Sequence, residues 1–201
     1  MGKLQFFLVI VLLILLAGCR SERAGRSTPA PEEYLTALEA YEQIRPAMLA
    51  WHEDAVVSYI SSSHSEQVEE RIRADGKGAR WSFIIYSPSA QKETRILWTE
   101  GGIQVGMPEI QGGEVSVPYA REGLPINDMI DSDEAVRIAL QNGASGILYY
   151  IGIDRYDSKT DRYIPPSWGL TYGHLHDWSQ QQRVIIDAVT GEVLRNDFAE
   201  P

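Results

Sequence analysis

The residues best placed to do chemistry are Gly173-His174-Leu175-His176-Asp177. In an extended strand, side chains two apart share a face, so His174 and His176 are spaced to share a metal, with Asp177 or Asp187 as an oxygen donor. A metal site needs a third or fourth ligand, and spacing fixes none here. The plainer expectation is polar residues on the solvated face of a strand or in a hairpin loop, with no cofactor. Asp154, Asp157 and Asp161 surround a Ser-Lys-Thr turn, but the regular oxygen-ligand loop of a calcium site is missing and Arg155, Lys159 and Arg162 compete for the carboxylates. A hairpin loop is expected there. Asp187 with Thr190-Gly191 is expected to be turn chemistry, Asp and Thr bonding nearby backbone and Gly191 taking a positive φ. Serines at 61, 62, 63 and 65 flank His64, yet no Gly-x-Ser-x-Gly elbow or Ser-x-x-Lys is present. No Gly-rich phosphate loop precedes a helix. The sequence therefore points to a non-enzymatic protein.

One thiol stands apart from these candidates. Cys19 is the only cysteine in 201 residues, which excludes an intrachain disulfide and cysteine-based zinc sites. Lys3 and then twelve unbroken apolar residues, Phe6 to Ala17, precede it. That run is short for a membrane span, which needs about 20 residues, but suits the apolar core of a secretory signal peptide. Its end, Leu16-Ala17-Gly18-Cys19, resembles the lipobox of bacterial lipoprotein precursors, in which the cysteine is lipidated and becomes the new N-terminus. The resemblance implies a signal peptide over residues 1–18, fatty acyl chains on Cys19, and attachment to the extracytoplasmic side of a cell membrane, or to an outer membrane in a two-membrane cell. Two or three acyl chains at about 0.8 kcal/mol per buried methylene make a firm anchor. Residues 20–31 carry no large apolar side chain and read as a tether of about 20 Å.

The formal charge of −10, from 28 acidic and 18 basic residues, repels phosphate backbones and anionic headgroups, so nucleic-acid binding is disfavoured. Aromatic residues offer another route to a partner. Trp168, Tyr172 and Trp178 lie near one another in sequence and are candidate anchors for an envelope protein, although most aromatics in a small domain belong to its core.

The elements that must position these residues follow from periodicity. Tyr34, Leu35, Leu38, Tyr41 and Ile44 have helix spacing from Glu32 onward. Pro46 is expected to kink or break that helix, which then resumes through Met48, Trp51, Ala55, Val56, Tyr59 and Ile60 to the serines at 61–63. Strands are expected at Trp81–Tyr86, Arg95–Thr99 and Ile103–Val105, the last two joined by a Gly-containing turn. Residues 106–128 read as a connection. Asp131 is an N-cap with Glu134 in capping-box position, opening a helix that Asn142-Gly143 stops. Strands return at Ile147–Ile153, Trp168–Tyr172, Arg183–Ala188 and Glu192–Leu194.

The halves look alike. His52–Val57 matches Ser132–Arg137, Trp81 matches Trp168, and Arg95-Ile96-Leu97-Trp98 matches Arg183-Val184-Ile185-Ile186, at offsets of 80, 87 and 88. This predicts an α+β fold of two tandem repeats after an N-terminal helix, over 32–115 and 116–201, each a helix on a small antiparallel sheet. Asp131-Ser132-Asp133-Glu134-Ala135, Ala139-Leu140, Gly143, Trp168 and Val184 to Val193 resemble the PepSY domain, over about residues 130–195. The first half is a degenerate copy, with Thr99-Glu100-Gly101-Gly102 where the second has Asp187-Ala188-Val189-Thr190-Gly191, and Tyr156–Pro166 reads as an insertion. The resemblance implies binding or restraint of an envelope protein such as a peptidase. Two other readings stay open: a metal-dependent protein using His174 and His176, and a structural lipoprotein recognising peptidoglycan or glycans.

Overall fold

The computed structural model describes residues 34–63, 72–106, 122–157, 159–174 and 177–199. Cys19 and the tether lie outside them. The chain from Glu33 onward is one compact unit. Helix α1 (Ala37–Trp51) leads into strands β1 (Val56–Ser63), β2 (Arg80–Ser87), β3 (Lys92–Thr99) and β4 (Gly102–Val105). A 3-10 turn at Ile126–Asp128 precedes helix α2 (Ser132–Gln141), followed by β5 (Ile147–Asp157), β6 (Arg162–His174), β7 (Asp177–Asp187) and β8 (Val193–Asn196). All eight strands join one antiparallel sheet in the order β4-β3-β2-β1-β5-β6-β7-β8. Each half is thus a helix and a four-stranded meander, and the two meanders meet through their first strands.

Alternation along the strands sorts side chains to two faces. Trp81, Phe83, Ile85, Ile96, Trp98, Ile151, Ile153, Trp168, Leu170, Val184 and Ile186 pack into one core with Ala40, Ile44 and Met48 of α1 and Ala135, Val136 and Ala139 of α2. Both helices lie on that face. Asp54, in the turn after α1, ties it to the β2–β3 turn by accepting from the Ser87 hydroxyl (2.7 Å) and the Ser89 amide (2.6 Å).

Several local expectations differ from what is found: the first helix starts at Ala37 rather than Glu32, and Tyr156–Pro166, read as an insertion, holds the end of β5 and the start of β6. Helix α1 runs unbroken through Pro46. The carbonyl deprived of its partner belongs to Glu42, and both residues are exposed, so the carbonyl is open to solvent. The helix does not resume past His52; Val56 to Ser63 form strand β1. The pairing shifts between Val57 and Tyr59, so Ser58 is an extra residue and Val57 and Ile60 both face the core. A spacing of three between core residues imitates a helix. Last, Glu134 makes no capping box with Asp131 and instead pairs with Arg137.

The register carries two similar irregularities. Val57 pairs with Ile85 and Tyr59 with Ile84, while Leu148 pairs with Tyr172 and Tyr150 with Thr171. The same irregularity therefore recurs at Ser58 and Tyr149. Trp81 faces Trp98 and Trp168 faces Ile186. The match of His52–Val57 with Ser132–Arg137 is overturned, because the first is a turn and strand and the second a helix. The structural counterpart of Asp131 is Thr36, the N-cap of α1.

Candidate functional site

The helices cover one face of the sheet. Strand alternation carries Tyr59 of β1, Tyr150 and Asp154 of β5, and Arg183 of β7 to the other, across the junction of the two meanders. The Tyr59 and Tyr150 hydroxyls share a hydrogen bond, and Arg183 Nη2 donates to Asp154 Oδ2. Two glycines clear the floor beneath them. A Cβ on Gly169 would overlap Asp154 Oδ2 and fall 2.7 Å from Arg183 Nη2. One on Gly152 would overlap the Tyr150 hydroxyl oxygen and fall 2.9 Å from the Ile60 carbonyl oxygen. Neither position tolerates a side chain without displacing the cluster.

Burial governs the electrostatics here. It pushes the Tyr59 phenol up, against the hydrogen bond from Tyr150. It pushes Tyr150 much further, helped by Tyr59 and Asp154. Both phenols are therefore neutral donors and acceptors at physiological pH. Burial also raises Asp154, outweighing Arg183 beside it. Arg183 Nε is buried without a hydrogen-bond partner. The cluster is chemically a set of polar groups held on a rigid strand floor, suited to recognition by hydrogen bonding.

A second aromatic feature lies along the same hairpin. Tyr156 and Tyr163 pack edge to face with ring centroids 5.7 Å apart, and Tyr163 is 68% exposed. Sequence spacing marks Tyr149, Tyr150, Tyr156 and Tyr163 as an aromatic cluster but does not bring Tyr59, Tyr150 and Arg183 together, since they come from three strands 33 to 124 positions apart. The parallel between Tyr59 and Tyr150, each one residue past the extra residue of its own first strand, emerges only from the pairing.

The residues expected from sequence fall elsewhere. Trp168 is fully buried and its indole N–H donates to the Ile130 carbonyl at 3.0 Å. Tyr172 is also buried, its ring edge-on to Phe198. Neither reaches the surface, so as direct partner anchors both are corrected to core residues. The side chains of His174, Asp177 and Trp178, and all of His176, lie outside the described part of the structure. Among the described residues, no three His, Cys, Asp or Glu side chains gather as a metal site would require. Asp154, Asp157 and Asp161 diverge: they pair with Arg183, Arg195 and Tyr156 respectively. Asp187 accepts from the Val189 and Thr190 amides at 2.9 and 2.8 Å, and Gly191 has φ +73°. Burial pushes the Asp187 carboxyl up, but these amides prevail and hold it below its ordinary value. His64 lies outside the described residues, and Ser62, close to it in sequence, donates to the Arg80 carbonyl.

No known protein-family profile matches this sequence, and no curated protein matches it. Among solved structures, the chain resembles the crystal structure of a protein from Clostridium difficile 630 described as a "putative lipoprotein". The TM-score is 0.52 at 13% identity, over 77% of this chain and 90% of that one. The α+β fold, with two helices on an eight-stranded antiparallel sheet, is therefore one that a solved structure shares. No helix among the described residues is long and apolar enough to cross a membrane.

Proposed function

We propose that this chain is an extracytoplasmic lipoprotein, anchored by fatty acyl groups on Cys19, that binds an envelope protein through the sheet face opposite its two described helices. The observation that carries the anchoring is Leu16-Ala17-Gly18-Cys19 at the end of an apolar run, in a chain with no other cysteine. The likeness in fold to a protein described as a lipoprotein supports it. The binding role draws on the helix-plus-meander plan of each half, which agrees with a pair of PepSY-like modules, and on a face that presents tyrosines and an Arg–Asp pair. Such a module restrains or positions another protein and makes no bond itself.

Two experiments address the two parts. Cells expressing the full chain, fed a labelled fatty acid, are expected to label the protein, and Cys19→Ser is expected to abolish the label. A photo-crosslinking residue at Tyr163, the most exposed aromatic near that face, is expected to trap a distinct envelope protein. Label persisting on Cys19→Ser overturns the anchor. Absence of any adduct from Tyr163 and from a second probe at Arg183 overturns the binding face.

A further inference from the structure

Rows of paired residues cross the two meanders at equal register. In the second meander one row runs Tyr150–Thr171–Arg183 and the next Gly152–Gly169–Ile185. In the first they run Tyr59–Ile84–Arg95 and Ser61–Ser82–Leu97. Strand alternation sets both rows on the face away from the core residues Ile96 and Trp98, and Val184 and Ile186. Arg95 therefore holds in β3 the place that Arg183 holds in β7.

The two arginines differ in what meets them. Arg183 has the carboxylate of Asp154, which reaches it from β5 across Gly169. Asp154 lies two residues past Gly152; two past Ser61 lies Ser63, which brings no charge. Arg95 is half-buried, and among the described residues its guanidinium has no ion pair and no hydrogen-bond partner. Ile84 opposite it and Leu97 two residues on are buried, so a pair formed there is partly shielded from water. Ser82 stands where the second meander has Gly169. A Cβ on Gly169 would overlap Asp154 Oδ2. Ser82 carries that Cβ, so it shuts out a carboxylate reaching across β2 from β1 and leaves the approach from above the sheet. Its hydroxyl, half-buried and without a partner among the described residues, is a second donor diagonal to Arg95.

We infer that Arg95, with Ser82, is a binding site for a carboxylate of the envelope partner, an Asp or Glu side chain that takes the place Asp154 fills in the second meander. The inference rests on the reading of this face as the binding surface, and it names the chemistry the partner brings. A planar guanidinium takes a carboxylate through two parallel hydrogen bonds, and in partly desolvated surroundings that pair is stronger than at an open surface. A carboxylate fits better than a phosphate. Asp154 on Arg183 already shows the arrangement, and a chain of net charge −10 repels a doubly charged anion more than a singly charged one.

The test uses the full chain in the cells that express it, with the photo-crosslinking residue at Tyr163 as readout. Arg95→Glu is expected to lower the yield of the partner adduct at least about tenfold, the loss of one charge-assisted contact. Ser63→Asp combined with Ser82→Gly rebuilds the second meander's arrangement, gives Arg95 a carboxylate of its own, and is expected to lower the adduct as far while keeping the arginine and the fold. In Arg95→Lys, a carbodiimide, which condenses an amine with a carboxylate, is expected to join position 95 to an Asp or Glu of the protein trapped at Tyr163. An adduct undiminished in both the Arg95→Glu and the paired variants would overturn the carboxylate site and leave the binding face standing. So would a carbodiimide link confined to this chain's own acids, such as Glu109 or Glu114, or no link at all. Absence of adducts from both Tyr163 and Arg183 in the otherwise unaltered chain would remove the face and the site together.

Discussion

The carboxylate of Asp131 serves two helix N-termini at once. Oδ1 accepts from the Ser132 amide of its own helix (2.7 Å) and from the Leu38 amide of α1 (3.0 Å), while Oδ2 accepts from the Thr36 hydroxyl (2.5 Å). Ser132, fully buried, accepts from the Ala37 amide and donates to the Gly76 carbonyl. Thr36 and Glu39 complete a reciprocal capping box on α1. A single cap contributes about 1 kcal/mol, so Asp131→Ala is expected to cost about 2–3 kcal/mol, and Thr36→Ala about half of that, in urea denaturation. Asp131 was legible as an N-cap because its residue type and the following periodicity say so. Its second role was not, since its partners lie 93 and 95 positions away. The box at Thr36 was open to reading as Thr-x-x-Glu before an apolar run, but the apolar spacing at Tyr34 and Leu35 drew the helix start earlier. Aromatic type alone does not separate a core residue from a binding anchor, and Trp168 and Tyr172 fell on the core side.

At the scale of elements, strand positions were the most legible, because short aromatic and β-branched runs between turns have few other solutions. β1 escaped because the extra residue at Ser58 hides the period of two, and local pattern cannot show a bulge that only pairing with β2 creates. The end of β8 makes a pH-dependent prediction. Hydrogen bonds from Arg195 hold the Asp197 carboxyl below its ordinary 3.8, against the effect of burial, with Lys159 adding to them. For Asp157, burial raises the value but the Lys159 amide, the Thr160 hydroxyl and Arg195 lower it further. Folded values below unfolded ones give stability that is full above the ordinary carboxyl range and is lost as pH falls through the folded values. Arg195→Met is therefore expected to lower stability by about 2 kcal/mol at neutral pH. The gap between variant and parent should shrink between about pH 5 and pH 2 in denaturation measured across that range.

For the molecule as a whole, the α+β class and the helix-then-strands order of each half were readable, whereas the joining of eight strands into one sheet was not. Which strand edges meet is decided by long-range pairing at Ser61–Gly152, Ser62–Ile151 and Ser63–Tyr150, and by the helix caps that cross between halves. Those links predict one cooperative transition. Protected amides in β2–β3 and in β6–β7 are expected to exchange with the same opening free energy, matching that from far-UV circular dichroism, and two separate energies would contradict the shared sheet. The paired indoles have a further use. Trp81 donates to the carbonyl of Leu35 and Trp168 to that of Ile130, each the residue just before the N-cap of its own helix. Every half thus contains a native optical probe wired to the mouth of its helix. Any event that lifts the first helix while sparing the second would alter the surroundings of Trp81 and leave those of Trp168 as they were.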